Sequence, residues 1–481
     1  MTLSPNFQYV ALADEIETGI ARGRFEPGEK LPSLRKLHLQ MGLSISTVHQ
    51  AYIELEKRGR VEAREKSGFY VRALNGNPMK QPPLARIKAE PCRVMVNDLA
   101  KTIVRDLQSE DILMLGAAIP SRDLMPLKQL SRIMKSMPAD ALQHHMSNYD
   151  LCAGNASLRE ALSKRMPGAI ASVSAEDIIT TAGCLDAVSL CLRSVAGPGD
   201  AILLESPAFH CFLQLIEDLN MYVVEVPGCP ETGMDPDTFQ EALSSHKIKA
   251  CLLNSNFQNP LGSVMSVQNK ARILAIAEEH GVPIIEDDIY GDLFYGDKRP
   301  ATFKGMDKTG LVLYCSSFSK ALAPGLRTGW TVPGKFRDAV LRMKLNTTIS
   351  GPAIIQAVIA EFIRTGAYDR HLRQLRNKLK NQASAMAMAV ARYFPRDTRI
   401  TFPRGGMFIW VELNQAYDSL EIFQQAHRQK ISILPGALCS STDRYKNCLR
   451  INCGLQWSPR LEAAIQTLGH IIHHFHERKT P

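Results

Sequence analysis

Short apolar runs rich in β-branched residues alternate with longer stretches of helical period through the middle of the chain, and few folds accept that pattern. AILLE, YVVEV, ACLLN, VPIIE and LVLYC are the short runs; VQNKARILAIAEEH is one of the longer stretches. A strand that is apolar on both faces must be covered on both, so the alternation predicts a mostly parallel sheet flanked by helices. From about residue 370 the pattern changes to a helix-prone run, YDRHLRQLRNKLKNQASAMAMAVARYF, then RITF and GMFIWVEL at hairpin-like spacing, then KNCLRINCG. That stretch reads as a smaller α/β unit. The body is accordingly placed at 93–481, with a large part at about 110–365 and a small part at about 366–481.

At 481 residues, 45% of them hydrophobic, the chain is long enough for more than one core. The start, MTLSPNFQYV, has no basic segment followed by an apolar run, and nothing later approaches the roughly 18 consecutive apolar residues of a membrane span. A soluble, cytoplasmic protein without a membrane segment is expected. Eleven cysteines are scattered without CxxC pairs or histidines at zinc spacing, so they read as reduced, mostly buried thiols, with no disulfide framework and no metal site. A net charge of +9 is compatible with nucleic-acid binding but is shared by many enzymes of this size, so motifs must decide.

Residues 1–73 form one compact segment, followed at 74–92 by a linker rich in Pro, Gly and Asn. Within the segment an amphipathic helix ends near Gly23, and Pro27-Gly28 turns the chain. Ser33 is placed to cap a second helix that Gly42 breaks, and Ser44 to cap a third running to about Lys57. RVEAREKSGFYV then alternates like a hairpin with Gly68 near its tip. On the third helix Val48, Tyr52 and Leu55 have core spacing, which turns Ile45, Ser46, His49 and Gln50 outward. Through LPSLRKL, GLSISTV and SGFYV the segment resembles the GntR family of winged helix-turn-helix regulators. The resemblance implies double-stranded DNA as partner, with Arg35, Thr47, Arg64 and Lys66 at phosphate or groove and Ser46 and His49 near the bases. Many relatives carry arginine where Ile45 stands, so a methyl contact to thymine would replace an arginine base contact.

The string CSSFSKALAPGLRTGW carries the second motif. A lysine that captures an aldehyde cofactor must be held rigidly, and the phosphate of pyridoxal phosphate needs hydroxyls and a cation nearby. Lys320 supplies the amine, Ser317 and Ser319 the hydroxyls, and Arg327 the cation. Upstream, VPIIEDDIYGD offers Asp287 for the pyridine nitrogen and Tyr290 for the ring oxygen, and NFQNPLG adds Asn259 as a second donor to that oxygen. In DIITTAGCLDAVSLCL, Gly183, Cys184 and Leu185 present backbone N–H groups at a helix N-terminus; ESPAFHCF offers Phe209 to stack on the ring. Arg450 in CLRINCG has the fork of donors that takes a carboxylate bidentately.

In this order the residues resemble fold type I aminotransferases over nearly all of 110–475. The resemblance implies a dimer in which Tyr149, in NYDLCAGNASLREAL, reaches the phosphate of the neighbouring subunit. Cys184 stands where relatives often have a phosphate-binding Ser or Thr, leaving that contact weaker or to backbone alone. The whole chain resembles the MocR subfamily, which joins a GntR-type winged helix-turn-helix to a fold type I aminotransferase-like body made of a large α/β domain and a small C-terminal α/β domain. That resemblance implies a domain-swapped, head-to-tail homodimer whose DNA binding responds to pyridoxal phosphate, or to an amino acid or amine effector forming an aldimine with it. The second expectation is a working aminotransferase with an accessory reader, and the third a cofactor reservoir.

Overall fold

The computed structural model describes residues 5–21, 25, 29–58, 60–64, 67–71, 79–85, 89–94, 105–106, 109, 111–166 and 173–479. The N-terminal unit contains three helices, α1 (Pro5–Ala21), α2 (Leu34–Met41) and α3 (Ile45–Lys57), and an antiparallel hairpin of β1 (Val61–Arg64) and β2 (Gly68–Val71). Ser33 accepts from the Lys36 N–H at 3.3 Å to start α2, and Gly42 ends it in the left-handed region at φ 64°. Ser44 accepts from the Thr47 N–H at 3.1 Å to start α3. Val48, Tyr52 and Leu55 are buried with Leu12, Ala13 and Leu37, so one face of α3 is spent on the core. The Tyr52 hydroxyl donates to Pro32 O at 2.8 Å, which satisfies the one polar atom that face buries.

A sheet of nine strands forms the centre of the body. Its order is Pro91–Arg93, Tyr222–Cys229, Ala201–Ser206, Ile248–Leu253, Ile284–Asp287, Val312–Ser317, Gly329–Val332 and Ile179–Thr181, with Gly233–Met234 added beside Tyr222–Cys229. Every neighbouring pair from Tyr222–Cys229 to Val312–Ser317 is parallel. Gly329–Val332 runs antiparallel to both its neighbours. Residues 318–328, which precede it, are too few for the helical crossover that a parallel return requires. Alternate side chains of the central strands enter opposite cores: Leu204, Leu252, Ile285 and Leu313 pack under helices Cys184–Val195 and His210–Asp218. Leu203, Cys251, Ile284 and Val312 pack under Pro236–Ser245 and Val267–Glu279.

The smaller unit is a four-stranded antiparallel sheet ordered Arg399–Ile400, Phe408–Glu412, Cys448–Asn452 and Leu434–Pro435. Its hairpin is the one that RITF and GMFIWVEL foreshadow. Helix Ala367–Tyr393 begins after Gly366, in the left-handed region at φ 67°, and belongs to both units. Leu372, Leu375 and Leu379 pack with Phe318 and Trp330, whereas Ala383, Met386 and Val390 pack with Trp410 and Ile451. Leu113–Met114 pairs in parallel with Ile431–Ser432, so the start of the body returns to the smaller unit. All eleven cysteines are free thiols, most of them buried. No helix among the described residues is long and apolar enough to cross a membrane.

The linker is fastened to the body at several points. Met79 is buried in the smaller unit's core, and Lys80 O accepts from the Ile400 N–H at 3.1 Å. Ala89 O pairs with His246 Nε2 at 2.6 Å, and Pro91–Arg93 adds an antiparallel edge to the large sheet. One apolar side chain and the unpaired edges of two sheets hold a segment whose composition alone reads as loose. Met79→Ala removes the buried anchor, which costs about 2–5 kcal/mol where burial is complete. Limited proteolysis is expected to cut within 79–94 roughly tenfold or more faster in that variant than in the wild type.

Candidate functional site

Four parallel neighbours end together: Ser206, Leu253, Asp287 and Ser317 are the last residues of their strands. Ligand sites of open α/β sheets lie at such carboxyl ends. Just beyond Ser317, Lys320 Nζ donates to Ala118 O at 2.6 Å. Burial pushes its ammonium down to about 8, and the Arg450 guanidinium adds repulsion in the same direction. Ser317 and Ser319 are buried, and the Ser319 N–H donates to Ser317 Oγ at 3.2 Å.

Asp287 is buried, which pushes its carboxyl up to about 6 against two donors to Oδ1: the Ile289 N–H at 2.9 Å and Cys184 Sγ at 3.1 Å. The Cys184 side chain is thus turned to a carboxylate rather than left at the helix mouth. Tyr290 lies beside it, 2% exposed, receiving Asn259 Nδ2 at 3.5 Å and packing edge-on to Phe408 at 5.2 Å. Asn259 Oδ1 accepts from Arg450 Nη1 at 2.6 Å, and Arg450 Nη2 donates to Gly116 O. Arg450 Nε is buried and has no hydrogen-bond partner among the described residues. Burial draws this guanidinium below its ordinary value.

Gly183 opens helix Cys184–Val195 at φ 117°, and no side chain caps that helix. A Cβ at Gly183 would meet Arg327 Nη2 at 2.7 Å, so only glycine lets the guanidinium lie over the helix entrance. Arg327 itself donates to Ala182 O from a left-handed backbone, φ 43°. Leu185 is 42% exposed and Tyr149 is 83% exposed. Phe209 is half-buried, edge-on to His210 at 4.9 Å and to Phe212 at 5.3 Å.

The sequence reading missed several members. Asn254 donates to Asp287 O at 2.5 Å and accepts from the Asn259 N–H at 2.8 Å, tying two expected residues together. Its signal was present, since it opens the run NSNFQNP. His210 is buried with Nδ1 unpartnered among the described residues, and burial holds its imidazole neutral, pushed down to about 3. Gly116 and Ala118 contribute only carbonyls, which no side-chain motif announces.

On the N-terminal unit, Ile45, Ser46 and His49 at the start of α3 are exposed, as is Arg35 on α2. The Ser44 hydroxyl also meets Ser46 Oγ and Thr47 Oγ1, each at 2.8 Å. His49 lies edge-on to Phe69 at 6.2 Å, so the helix start and the hairpin share a face. Arg64 lies over the Tyr70 ring at 4.0 Å and donates to Glu62 Oε1 at 2.9 Å; part of its charge is therefore already answered. Gly68 holds φ 108°, a conformation other residues rarely adopt. Lys66 lies outside the described residues.

The fold and the lysine pocket define a fold type I pyridoxal phosphate protein. Residues 111–467 match the family "Aminotransferase class I and II", and residues 8–71 match "Bacterial regulatory proteins, gntR family". The uncharacterized HTH-type transcriptional regulator YjiR of Escherichia coli (strain K12) is 35% identical over 97% of this chain and 99% of its own. Kynurenine aminotransferase of Pyrococcus horikoshii, solved in complex with PMP, superposes with a TM-score of 0.72 at 26% identity, over 79% of this chain and 95% of its own. LysN, an alpha-aminoadipate aminotransferase of Thermus thermophilus, gives 0.73 at 24%, over 80% and 97%. The chain belongs to the class I and II aminotransferase family, in the branch that carries a GntR-type helix-turn-helix at its N-terminus, the MocR subfamily.

Pyridoxal phosphate is the cofactor of this fold, and the residues present fit it. The uncapped helix start with Arg327 over it suits a phosphate, and a buried carboxylate with its second oxygen open suits a cationic ring nitrogen. Ser44→Ala removes the cap of α3 and is expected to lower the stability of the N-terminal unit by about 1 kcal/mol. Thermal or denaturant unfolding of the full chain, followed by a probe in that unit, measures it.

Proposed function

We propose that this chain is a cytoplasmic transcriptional regulator whose grip on double-stranded DNA is set by pyridoxal phosphate and by an amino acid or amine that reacts with it. The observation that carries this reading is the presence, in one chain, of an exposed recognition helix and a buried lysine pocket with Lys320, Asp287 and Arg450 all in place. In the reader, Ser46 and His49 face base edges, Ile45 offers a methyl surface to thymine, and Arg35, Thr47, Arg64 and Lys66 answer phosphates, with Ser44 and Gly68 shaping helix start and wing.

When bound, pyridoxal phosphate supplies an aldehyde for an amine and a ring that draws electrons from the attached carbon. Lys320 would be the residue that holds the cofactor, and its free amine would be the base that moves a proton. Asp287 would hold the ring nitrogen, Tyr290 and Asn259 the ring oxygen, and Phe209 would stack on the ring. Gly183, Cys184 and Leu185 through their N–H groups, Ser317, Ser319 and Arg327 cradle the phosphate. Arg450 takes the effector's carboxylate; its unclaimed Nε supports that role, because a carboxylate is the ligand that completes a guanidinium fork. Tyr149, largely exposed, suits contact with a second copy in a head-to-tail homodimer with exchanged readers.

Fluorescence anisotropy with DNA from upstream of the gene, at one fixed salt, tests the regulator. Wild type is expected to prefer that DNA to random duplex and to change affinity about fivefold or more on adding pyridoxal phosphate, with Lys320→Ala unresponsive. Binding no tighter than to random duplex, with or without the cofactor, sinks the reading.

A working aminotransferase is the second reading, favoured by an amine held at about 8, where a useful share is unprotonated near neutral pH. Below that value the unprotonated, nucleophilic share falls about tenfold per pH unit. The rate at which apoprotein captures pyridoxal phosphate, followed by absorbance, is therefore expected to rise about tenfold per pH unit up to about 8 and to level off above it. Steady turnover of an amino acid with a 2-oxo acid, lost in Lys320→Ala, distinguishes the enzyme from the sensor.

A further inference from the structure

We propose that Cys184 is a positioning residue for Asp287: its thiol holds Oδ1 of that carboxylate so that Oδ2 alone is presented to the pocket, which keeps the shared proton on the cofactor's ring nitrogen. The inference rests on the reading that Asp287 faces that nitrogen.

The geometry is specific. Cys184 is the first residue of helix Cys184–Val195, and Gly183 before it is in a backbone conformation that admits no ordinary side chain. That places the sulfur at the helix entrance, where a hydroxyl would turn to a phosphate. Instead Sγ donates to Asp287 Oδ1 at 3.1 Å, and the Ile289 N–H donates to the same oxygen at 2.9 Å. Asn254 Nδ2 holds the Asp287 carbonyl at 2.5 Å, so backbone and carboxylate are both fixed. With two donors on Oδ1, the oxygen left for a ligand is Oδ2.

Chemistry sets the direction. Both groups are buried, and burial beside a carboxylate raises the thiol far above its ordinary value, so it remains an S–H donor throughout the working range. A buried carboxylate that loses one of two donors binds a proton more tightly. In a pair that shares one proton, the proton then moves from ring nitrogen to carboxylate oxygen. A protonated ring draws electrons strongly and a neutral one does not, so a side chain outside the reacting atoms sets how reactive the bound cofactor is.

The test compares wild type, Cys184→Ala, Cys184→Val and Cys184→Ser, each loaded with pyridoxal phosphate labelled with 15N in the ring. Two quantities are read: the ring 15N shift at fixed pH, and the dissociation constant of the cofactor by absorbance titration. Ala and Val, which lack a donor, are expected to move the 15N signal toward the unprotonated value, a change of about fivefold in the proton's distribution, and to weaken binding by a similar factor. Ser, which donates from nearly the same place, is expected to stay near wild type in both.

Loss of cofactor loading in Ala and Val with loading kept in Ser supports the proposal as well. Ala or Val indistinguishable from wild type in both readouts overturns it, and so does equal failure of all three variants to load. Wild type that never acquires the cofactor's bound absorbance band defeats the cofactor reading itself, which is a separate result.

Discussion

The shortness of the 318–328 connection governs the arrangement of the body. With no room for a crossover helix, the chain leaves Val312–Ser317 and re-enters the sheet antiparallel as Gly329–Val332. The intervening residues must therefore turn tightly over the sheet's carboxyl edge. Lys320 is on that turn and Arg327 at its far end, where the left-handed backbone aims the guanidinium at the entrance of helix Cys184–Val195. The same edge carries Asp287 and Asn254 from neighbouring parallel strands. One topological constraint thus brings the amine, the carboxylate and the uncapped helix entrance with Arg327 beside it to one edge of the sheet.

Electrostatics explains why the pocket is strained toward ligands. Lys320 and Arg450 are near enough to repel one another, and loss of water lowers each below its ordinary value. Asp287 is buried too, yet two of its possible donors are already spent on one oxygen. Arg450 Nε has no partner among the described residues, a cost on the order of 1–3 kcal/mol for a buried donor. An anionic group beside Arg450 and a cationic one beside Asp287 would relieve both sides at once. The two cores that share helix Ala367–Tyr393 frame these groups.

Much of this architecture was legible in the sequence because its signals are local. Short β-branched apolar runs marked the parallel strands, Ser33, Gly42 and Ser44 marked the ends of α2 and α3, and the SSFSK string marked the lysine turn. What the sequence did not disclose depends on contacts between distant segments. Nothing in TAGCLDA announces that Cys184 reaches a carboxylate about a hundred residues on. The 74–92 stretch looked loose because its anchors, Met79 in a core and Pro91–Arg93 on a sheet edge, require partners from 400 and 222–224. Helix Ala367–Tyr393 crosses between two cores without a glycine or proline to mark the passage.

The fastened linker limits how a ligand could be felt by the reader. Lys80 is tied to the smaller unit through Ile400, Ala89 to His246 at the end of helix Pro236–Ser245, and Pro91–Arg93 to the large sheet. Arg450 lies in the small sheet, and Lys320 lies just beyond Val312–Ser317 of the large one. A ligand that binds two arrangements of a protein equally shifts nothing between them. In the regulator proposed above, coupling to DNA is a difference between two binding free energies and is reciprocal: DNA that favours one placement of the reader would tighten the ligand by the same factor.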